Sequence, residues 1–220
     1  MTTIAILGGT GHEGAGLGLR WAKAGHTVII GSRVAEKAQA AAAELNAKLG
    51  RDSVRGLDNL AAAQAGEMDA LTVPYSAHAA TIETVREAVQ GKIFVDVTVP
   101  LVPPKVSRVQ MPAAGSASQE AQALLGPNVK VVTAFQSISA EHLKDPGQPI
   151  DCDVLVCGDD REAKNAVIAL AADAGIKAWD AGPLANAVVA EGLTSVLIGL
   201  NIRYKVKSSG IKITGIDSAS

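Results

Sequence analysis

The chain has 220 residues, 48% hydrophobic, 19% charged and 3% aromatic, with a formal net charge of −2. That length and apolar content support one large domain, or one domain with a small appendage, and argue against a disordered chain. The lack of long single-sign blocks and the scarcity of rings for base stacking argue against nucleic acid or an anionic membrane as the main partner.

Short aliphatic runs alternate with helix-like stretches, the pattern of a doubly wound, mostly parallel sheet of the Rossmann type in the α/β class. Residues 4–7 read as the first strand and 14–24 as a helix with Leu17 and Trp21 on one face. Residues 27–30 form the second strand, and 36–49 an Ala-rich helix ended by Gly50. Strands follow at 54–57, 70–73 and 93–97, with a helix over 77–89 between the last two. Pro103, Pro104, Pro112 and Gly115 mark a loop or lid before a short helix at 119–125 and a sixth strand at 130–133. Residues 1–150 thus read as a nucleotide-binding domain. Residues 151–220 read as a small C-terminal α/β unit: strand 153–156, helix 161–174, strand 177–180, helix 184–200 and a last short strand at 211–213. Whether this unit extends the sheet or docks as a lobe is left open.

No leader segment and no uninterrupted apolar run of membrane-spanning length is read, so a cytoplasmic location without a membrane is expected. Cys152 and Cys157 are five apart, make no metal-ligand set and read as buried, reduced thiols; no metal is expected.

The principal motif is Gly9, Gly11 and Gly14 in a GxGxxG arrangement between the first strand and the first helix. Such a turn lets the backbone approach a pyrophosphate and aims the free N–H groups of a helix start at the anion. Glu13 within it is an oddity, since a carboxylate repels phosphate, and its side chain is expected to point away. An NAD enzyme commonly carries Asp or Glu at the end of the second strand. Here the strand ends in Gly31, Ser32 and Arg33, with Lys37 a turn later and Thr10 in the glycine loop, groups suited to a 2′-phosphate. The cofactor read from these residues is therefore NADP(H).

Proton donors are few. The four histidines are His12, His26, His78 and His142, and neither Tyr75 nor Tyr204 has a lysine four residues on. His78 is placed to cap a helix, to line the cofactor or to donate a proton. No residue is assigned as a certain catalytic group; His78 and Gln136 are the candidates. The site loops are small and apolar, at Val73, Pro74, Val99 to Val102 and Ile138, which suits a flat ring stacked on nicotinamide.

At this point the chain resembles the NADPH-dependent reductases of the deazaflavin coenzyme F420, also called reduced coenzyme F420:NADP oxidoreductases. The matching stretches are Leu7 to Gly11, Gly31 to Arg33 with Lys37, and Val99 to Leu101. Further on come Cys152 to Val154, Val156 to Asp160, Asp180 to Leu184, and the tail Arg203 to Lys207 with Gly210 and Ile211. The resemblance implies direct hydride transfer between nicotinamide C4 and deazaflavin C5, with F420 as co-substrate. It assigns Thr10, Gly11, His12, Glu13, Ser32, Arg33 and Lys37 to NADP, and Val73, Pro74, His78, Val99 and Ala140 to the nicotinamide side. Gln136, Ile138 and Ser209 are assigned to the deazaflavin pocket; some members carry histidine where this chain has Gln136. The C-terminal unit is expected to complete that pocket and to supply a subunit interface. An all-round apolar helix at 184–200 agrees with a homodimer. Asp159 and Asp160 read as helix caps rather than metal ligands. Two other functions fit less of the pattern: an NADPH-dependent reductase of an imine or small carbonyl, and a redox-sensing NADP(H)-binding protein without turnover.

Overall fold

A computed structural model describes residues 1–216. The chain forms one eight-stranded sheet in the order β3-β2-β1-β4-β5-β6-β7-β8. The first six strands are β1 (Thr3–Leu7), β2 (Thr27–Ser32), β3 (Val54–Asp58), β4 (Met68–Leu71), β5 (Ile93–Asp96) and β6 (Lys130–Thr133), all parallel. β7 (Asp153–Gly158) joins β6 in antiparallel sense through Val132 opposite Gly158 and Thr133 opposite Cys157, and β8 (Lys177–Asp180) lies parallel to β7. The C-terminal unit therefore extends the same sheet.

The aliphatic runs of the inner strands follow from burial on both faces. Along β1, Ile4 and Ile6 turn to one core and Ala5 and Leu7 to the other. The first core packs under helices α1 (His12–Ala24), α2 (Ala35–Leu49) and α7 (Arg161–Asp173), through Leu17, Trp21, Ala38 and Val167. The second holds Ile82 and Val85 of α4 (His78–Val85) and Ala121 and Leu125 of α5 (Ala117–Leu125).

Several elements differ from the sequence expectation. A short helix α3 (Asn59–Ala65) follows β3, with the Asp58 carboxylate accepting from Ala61 N at 2.9 Å. Its Asn-Leu-Ala-Ala-Ala-Gln-Ala sequence has too few large apolar residues to show a period. The four-residue helix α6 (Ala140–Leu143) is too short to leave one. The fourth strand lies at Met68–Leu71 rather than 70–73, because its ladder with β1 ends at Leu7 opposite Leu71. The segment Ile211 to Ile213 makes no strand: Asp153 N donates to Ile211 O, and the Asp153 carboxylate, not a ladder carbonyl, accepts from Ile213 N. Helix α8 (Ala187–Tyr204) begins and ends later than the 184–200 read from sequence, with a separate single turn at Leu184–Asn186 before it.

Two residues on α1 tie the C-terminal unit to the first six strands. Trp21 Nε1 donates to Leu170 O of α7 at 3.0 Å and its ring meets Phe135 edge-on. The buried Arg20 guanidinium donates to the carbonyls of His142, Asp145, Gln148 and Ala174 at 2.7–3.1 Å. One cation thus replaces the missing donors of a loop and of the α7 C-terminus. Arg20→Met, which keeps the aliphatic stem but strands four acceptors, is expected to lower stability by about 3 kcal/mol in urea unfolding. A loss under about 0.5 kcal/mol would show that these carbonyls find other partners.

Candidate functional site

The site forms where the sheet order reverses, between the C-terminal ends of β1 and β4, the place at which open α/β sheets bind ligands. After Leu7 the chain turns at Gly8, whose φ of 73° suits glycine, and Gly9 N donates to Ile6 O and Gly31 O. The tight turn is therefore made by Gly8, a residue outside the GxGxxG spacing. A Cβ on Gly14 would sit 2.5 Å from Thr72 Oγ1 and 2.7 Å from Gly9 Cα, so this glycine lets α1 press against the ends of β1 and β4. A Cβ on Gly11 would meet no protein atom within 4 Å, and Gly11 caps α1 without any side-chain hydrogen bond. The first turn of α1 thus offers N–H groups to open space, as an anion requires.

A cavity of about 530 Å³ lies between the end of β2 and α4, with Ser32, Arg33, Asn59, Pro74 and Thr81 on its walls. Ser32 is buried, and its hydroxyl accepts from Val34 N at 3.3 Å while retaining its proton. Arg33 and Lys37 are exposed, and neither forms an ion pair among the described residues. Two unpaired cations at a helix start oppose the helix dipole, which an incoming anion offsets. Lys37 stands a turn further along α2. Thr10 faces a different groove, with His12 and Lys48 between α1 and α2.

A second cavity, about 340 Å³, lies at the ends of β4 and β5 and shares Pro74 with the first. Its apolar walls are Val73, Pro74, Val97, Val99, Leu101 and Ile138; its polar ones include His12, Glu13, Thr98, Gln136 and Thr194. Behind the wall, His78 and Asp96 are fully buried and joined Nε2 to Oδ2 at 2.7 Å. Burial alone would lower the His78 pKa, but the hydrogen bond and charge of Asp96 outweigh it and the net direction is upward. The other Asp96 oxygen accepts from Thr98 N at 3.0 Å, and its backbone carbonyl accepts from Gln136 Nε2 at 2.7 Å. Gln136 follows Phe135, whose φ of 77° turns the chain back into the site. The Gln136 carbonyl accepts from Thr194 Oγ1 of α8 at 2.8 Å.

The geometry thus gathers Gly11, His12, Glu13, Val73, Pro74, Val99, Gln136 and Ile138 on one cavity, and Ser32 and Arg33 on the adjoining one. It does not bring in Ala140, which starts α6, nor Ser209, whose hydroxyl donates to Leu197 O while its N–H donates to Asn201. His78 stands behind the wall rather than on it. Asp160 caps α7, accepting from Ala163 N, and Asp159 caps the single turn at Leu184–Asn186 by accepting from Leu184 N. Asp159 thereby joins the turns after β7 and β8, and Lys164 pairs with Asp180 at 2.6 Å alongside. Cys152 and Cys157 are buried free thiols, with Cys157 pushed up to about 11 chiefly by burial.

Sequence reasoning missed Asp96, Thr98 and Glu191. Glu191 is fully buried on α8 and accepts from Ala117 N, Ser118 N and Ser118 Oγ at 2.7–3.0 Å, capping α5; burial still pushes its pKa up to about 7. Its signal was present, as the lone acid in the apolar stretch from Leu184 to Ile202.

The uncapped start of α1, and the buried, unpartnered Oε1 of Gln136 and Oγ1 of Thr98, fit a dinucleotide running from Arg33 past Pro74 into the second cavity. Residues 3–100 match the family model for NADP oxidoreductase, coenzyme F420-dependent. The chain is 43% identical over 222 aligned residues to the F420-dependent NADP reductase of Methanocaldococcus jannaschii, covering 97% of this chain and 99% of that one. The corresponding protein of Methanothermobacter marburgensis is 42% identical over 97% and 98% of the two chains. The crystal structure of a candidate F420-dependent NADP reductase from an Arthrobacter species superposes with a TM-score of 0.79 at 28% identity, covering 98% of this chain and all of that one. An imine reductase from Streptomyces aurantiacus shares the fold, with a TM-score of 0.58 at 19% identity over 92% of this chain and 61% of its own. Identity of this extent along nearly the whole of both relatives, with the glycine turn and the two neighbouring cavities in place, means that the chain belongs to the F420-dependent NADP reductase family.

Proposed function

We propose that the chain transfers hydride between NADP(H) and coenzyme F420 by direct contact of the two rings. The single observation that carries this reading is the placement of two cavities on either side of Pro74, which lines both: one holds the phosphate-suited Ser32 and Arg33, the other an apolar slot with Val73, Val99 and Ile138. The nicotinamide and deazaflavin supply the chemistry themselves, a hydride passing between C4 of one and C5 of the other, and the protein's share is position and the exclusion of water.

Each residue then has a physical task. The first turn of α1, from Gly11 to Gly14, holds the diphosphate. Ser32, Arg33 and Lys37 recognise the 2′-phosphate, with Thr10 of the glycine loop as a further candidate. Val73, Pro74 and Val99 flank the nicotinamide. Gln136 and Ile138 face the deazaflavin, Gln136 being locked by its amide to Asp96. His78 acts through Asp96 as a positioning residue, since its bonded nitrogen is buried on that carboxylate. A substrate needing a positioned general acid would gain nothing from His78 in this arrangement.

We also read α8 as a subunit contact of a cytoplasmic homodimer. Its buried face is Ala187, Ala190, Glu191, Gly192, Ser195 and Leu197, while Val188, Val189, Val196, Leu200 and Ile202 are exposed. Most of its exposed positions are thus large and apolar, which is unusual for a surface helix. The helical segment Leu184–Tyr204 is long and apolar enough to cross a membrane by length and composition, with a mean hydropathy of 1.4. Its buried Glu191 anchors it to α5 instead, which favours a protein partner on the outer face.

Mixing the protein with NADPH and oxidised F420 is expected to bleach the deazaflavin absorbance, far more slowly with NADH. Absence of bleaching while NADPH still binds would overturn the reading and direct the search to imine or carbonyl substrates. Arg33→Ala should raise the KM for NADPH by about tenfold and leave that for NADH nearly unchanged; equal effects on both nucleotides would remove Arg33 from phosphate recognition. Val189→Asp with Val196→Asp should halve the mass in solution, whereas an unchanged mass would exclude α8 from the interface.

A further inference from the structure

Among the described residues, three that line the second cavity each carry a buried side-chain oxygen without a hydrogen-bond partner: Glu13 Oε1, Thr98 Oγ1 and Gln136 Oε1. Each such atom costs about 1–3 kcal/mol when left unpaired, so a cluster of them round one hollow marks a ligand with matching polar groups. Gln136 has spent its amide on Asp96 and turns only an acceptor inward. Thr98 can both give and accept. Glu13 reaches the cavity from the first turn of α1, immediately after Gly11 and His12.

We propose that Glu13 and Thr98 form the seat of the nicotinamide carboxamide, with the Glu13 carboxyl donating to the amide oxygen and Thr98 accepting from the amide nitrogen. This rests on the reading of the cleft as an NADP site and adds to it the group that orients the ring. Glu13 stands beside the diphosphate end of that site, so the nucleotide's own ring is nearer to it than the second coenzyme.

The donor role requires an uncharged carboxyl, and the surroundings provide one. No lysine or arginine lines the cavity, and His12 is the other titratable group on it. Behind the walls, His78 and Asp96 are paired with each other and Glu191 is bound to the start of α5. On α6, which packs against α1, Lys144 is held by Glu141 and the His142 ring by Ser208 O. None of these reaches Glu13, and burial pushes its pKa up to about 8. The sign follows: below pH 8 the neutral acid donates to the amide, and above it the donor is lost and a negative charge faces the amide oxygen. Nucleotide binding therefore weakens as pH rises through this value.

The test is calorimetric titration of the full chain with NADP+ from about pH 7 to about pH 9.5, alongside adenosine 2′,5′-bisphosphate, which keeps the 2′-phosphate and lacks nicotinamide. The NADP+ Kd is expected to rise towards about tenfold per pH unit above the titration, while the bisphosphate Kd stays flat. Glu13→Gln, which donates at every pH, should bind NADP+ within about threefold of wild type at neutral pH and abolish the rise. Glu13→Leu should weaken NADP+ binding about tenfold at neutral pH and leave the bisphosphate unaffected, which also reports that it is folded. A Glu13→Gln protein that keeps the wild-type pH dependence, or a Glu13→Leu protein that binds NADP+ as tightly as wild type, overturns the assignment of Glu13. Failure of wild type to bind either nucleotide overturns the NADP reading itself, and this inference with it.

Discussion

The contact on which the rest of the structure depends is the approach of α1 to the ends of β1 and β4 at Gly14. With no side chain there, the helix start comes close enough to Thr72 and Gly9 that a methyl group would collide with both. That approach fixes two things at once. It aims the uncapped N–H groups of the first turn at the switch point of the sheet. It also sets the distant end of the helix, where Arg20 and Trp21 bind the backbone of α7 and the loop before β7. The phosphate turn and the attachment of the C-terminal strands are therefore two consequences of one helix position.

The second cavity shows two opposite treatments of a buried carboxyl. Leaving an ionised carboxylate unpaired in the interior costs several kcal/mol. Asp96 avoids this through His78 on one oxygen and Thr98 N on the other, and its backbone holds Gln136, so both its side chain and its carbonyl are used to build the wall. Glu13 has no such partner and meets the same penalty by holding its proton to about pH 8. The paired acid is a scaffold. The unpaired one is the group left with hydrogen-bonding capacity for something outside the protein.

Much of this was legible in the sequence because it depends on period and on punctuation. The inner strands read correctly since burial on both faces demands continuous aliphatic runs, and α1 read correctly through Leu17 and Trp21, both of which are fully buried. Ser32 and Arg33 could be singled out because the second strand ends at a position with a known electrostatic task. What stayed hidden depends on contacts between residues far apart in the chain. Asp96 looked like the end of a strand; its role needs His78, 18 residues earlier, and Gln136, 40 later. Glu13 was expected to turn away from the site, and it turns into it, because the repulsion that motivated the expectation vanishes once burial has neutralised the acid. Ser209 and Ala140 came from family resemblance alone; the Ser209 hydroxyl donates to Leu197 O, and Ala140 opens α6. Helices α3 and α6 escaped because short Ala-rich or single-turn helices carry no measurable period.

Helix α8 joins the site to the surface. Apart from Leu197 its inner face is small and polar, and two of its residues, one turn apart, brace the site: Glu191 caps α5, which follows the loop over residues 101–115, and Thr194 binds the carbonyl of Gln136. Gly192 accepts Val109 of that loop at a distance a larger residue would not permit without movement. The outer face carries the valines and leucines that would ordinarily fix a helix in place. A helix held inward mainly by hydrogen bonds, with its apolar side turned out, gains much of its rigidity from whatever covers that side. Burial of the outer face would therefore tighten Gln136 and the loop together, so that assembly and the alignment of two rings in the slot are linked through a single helix.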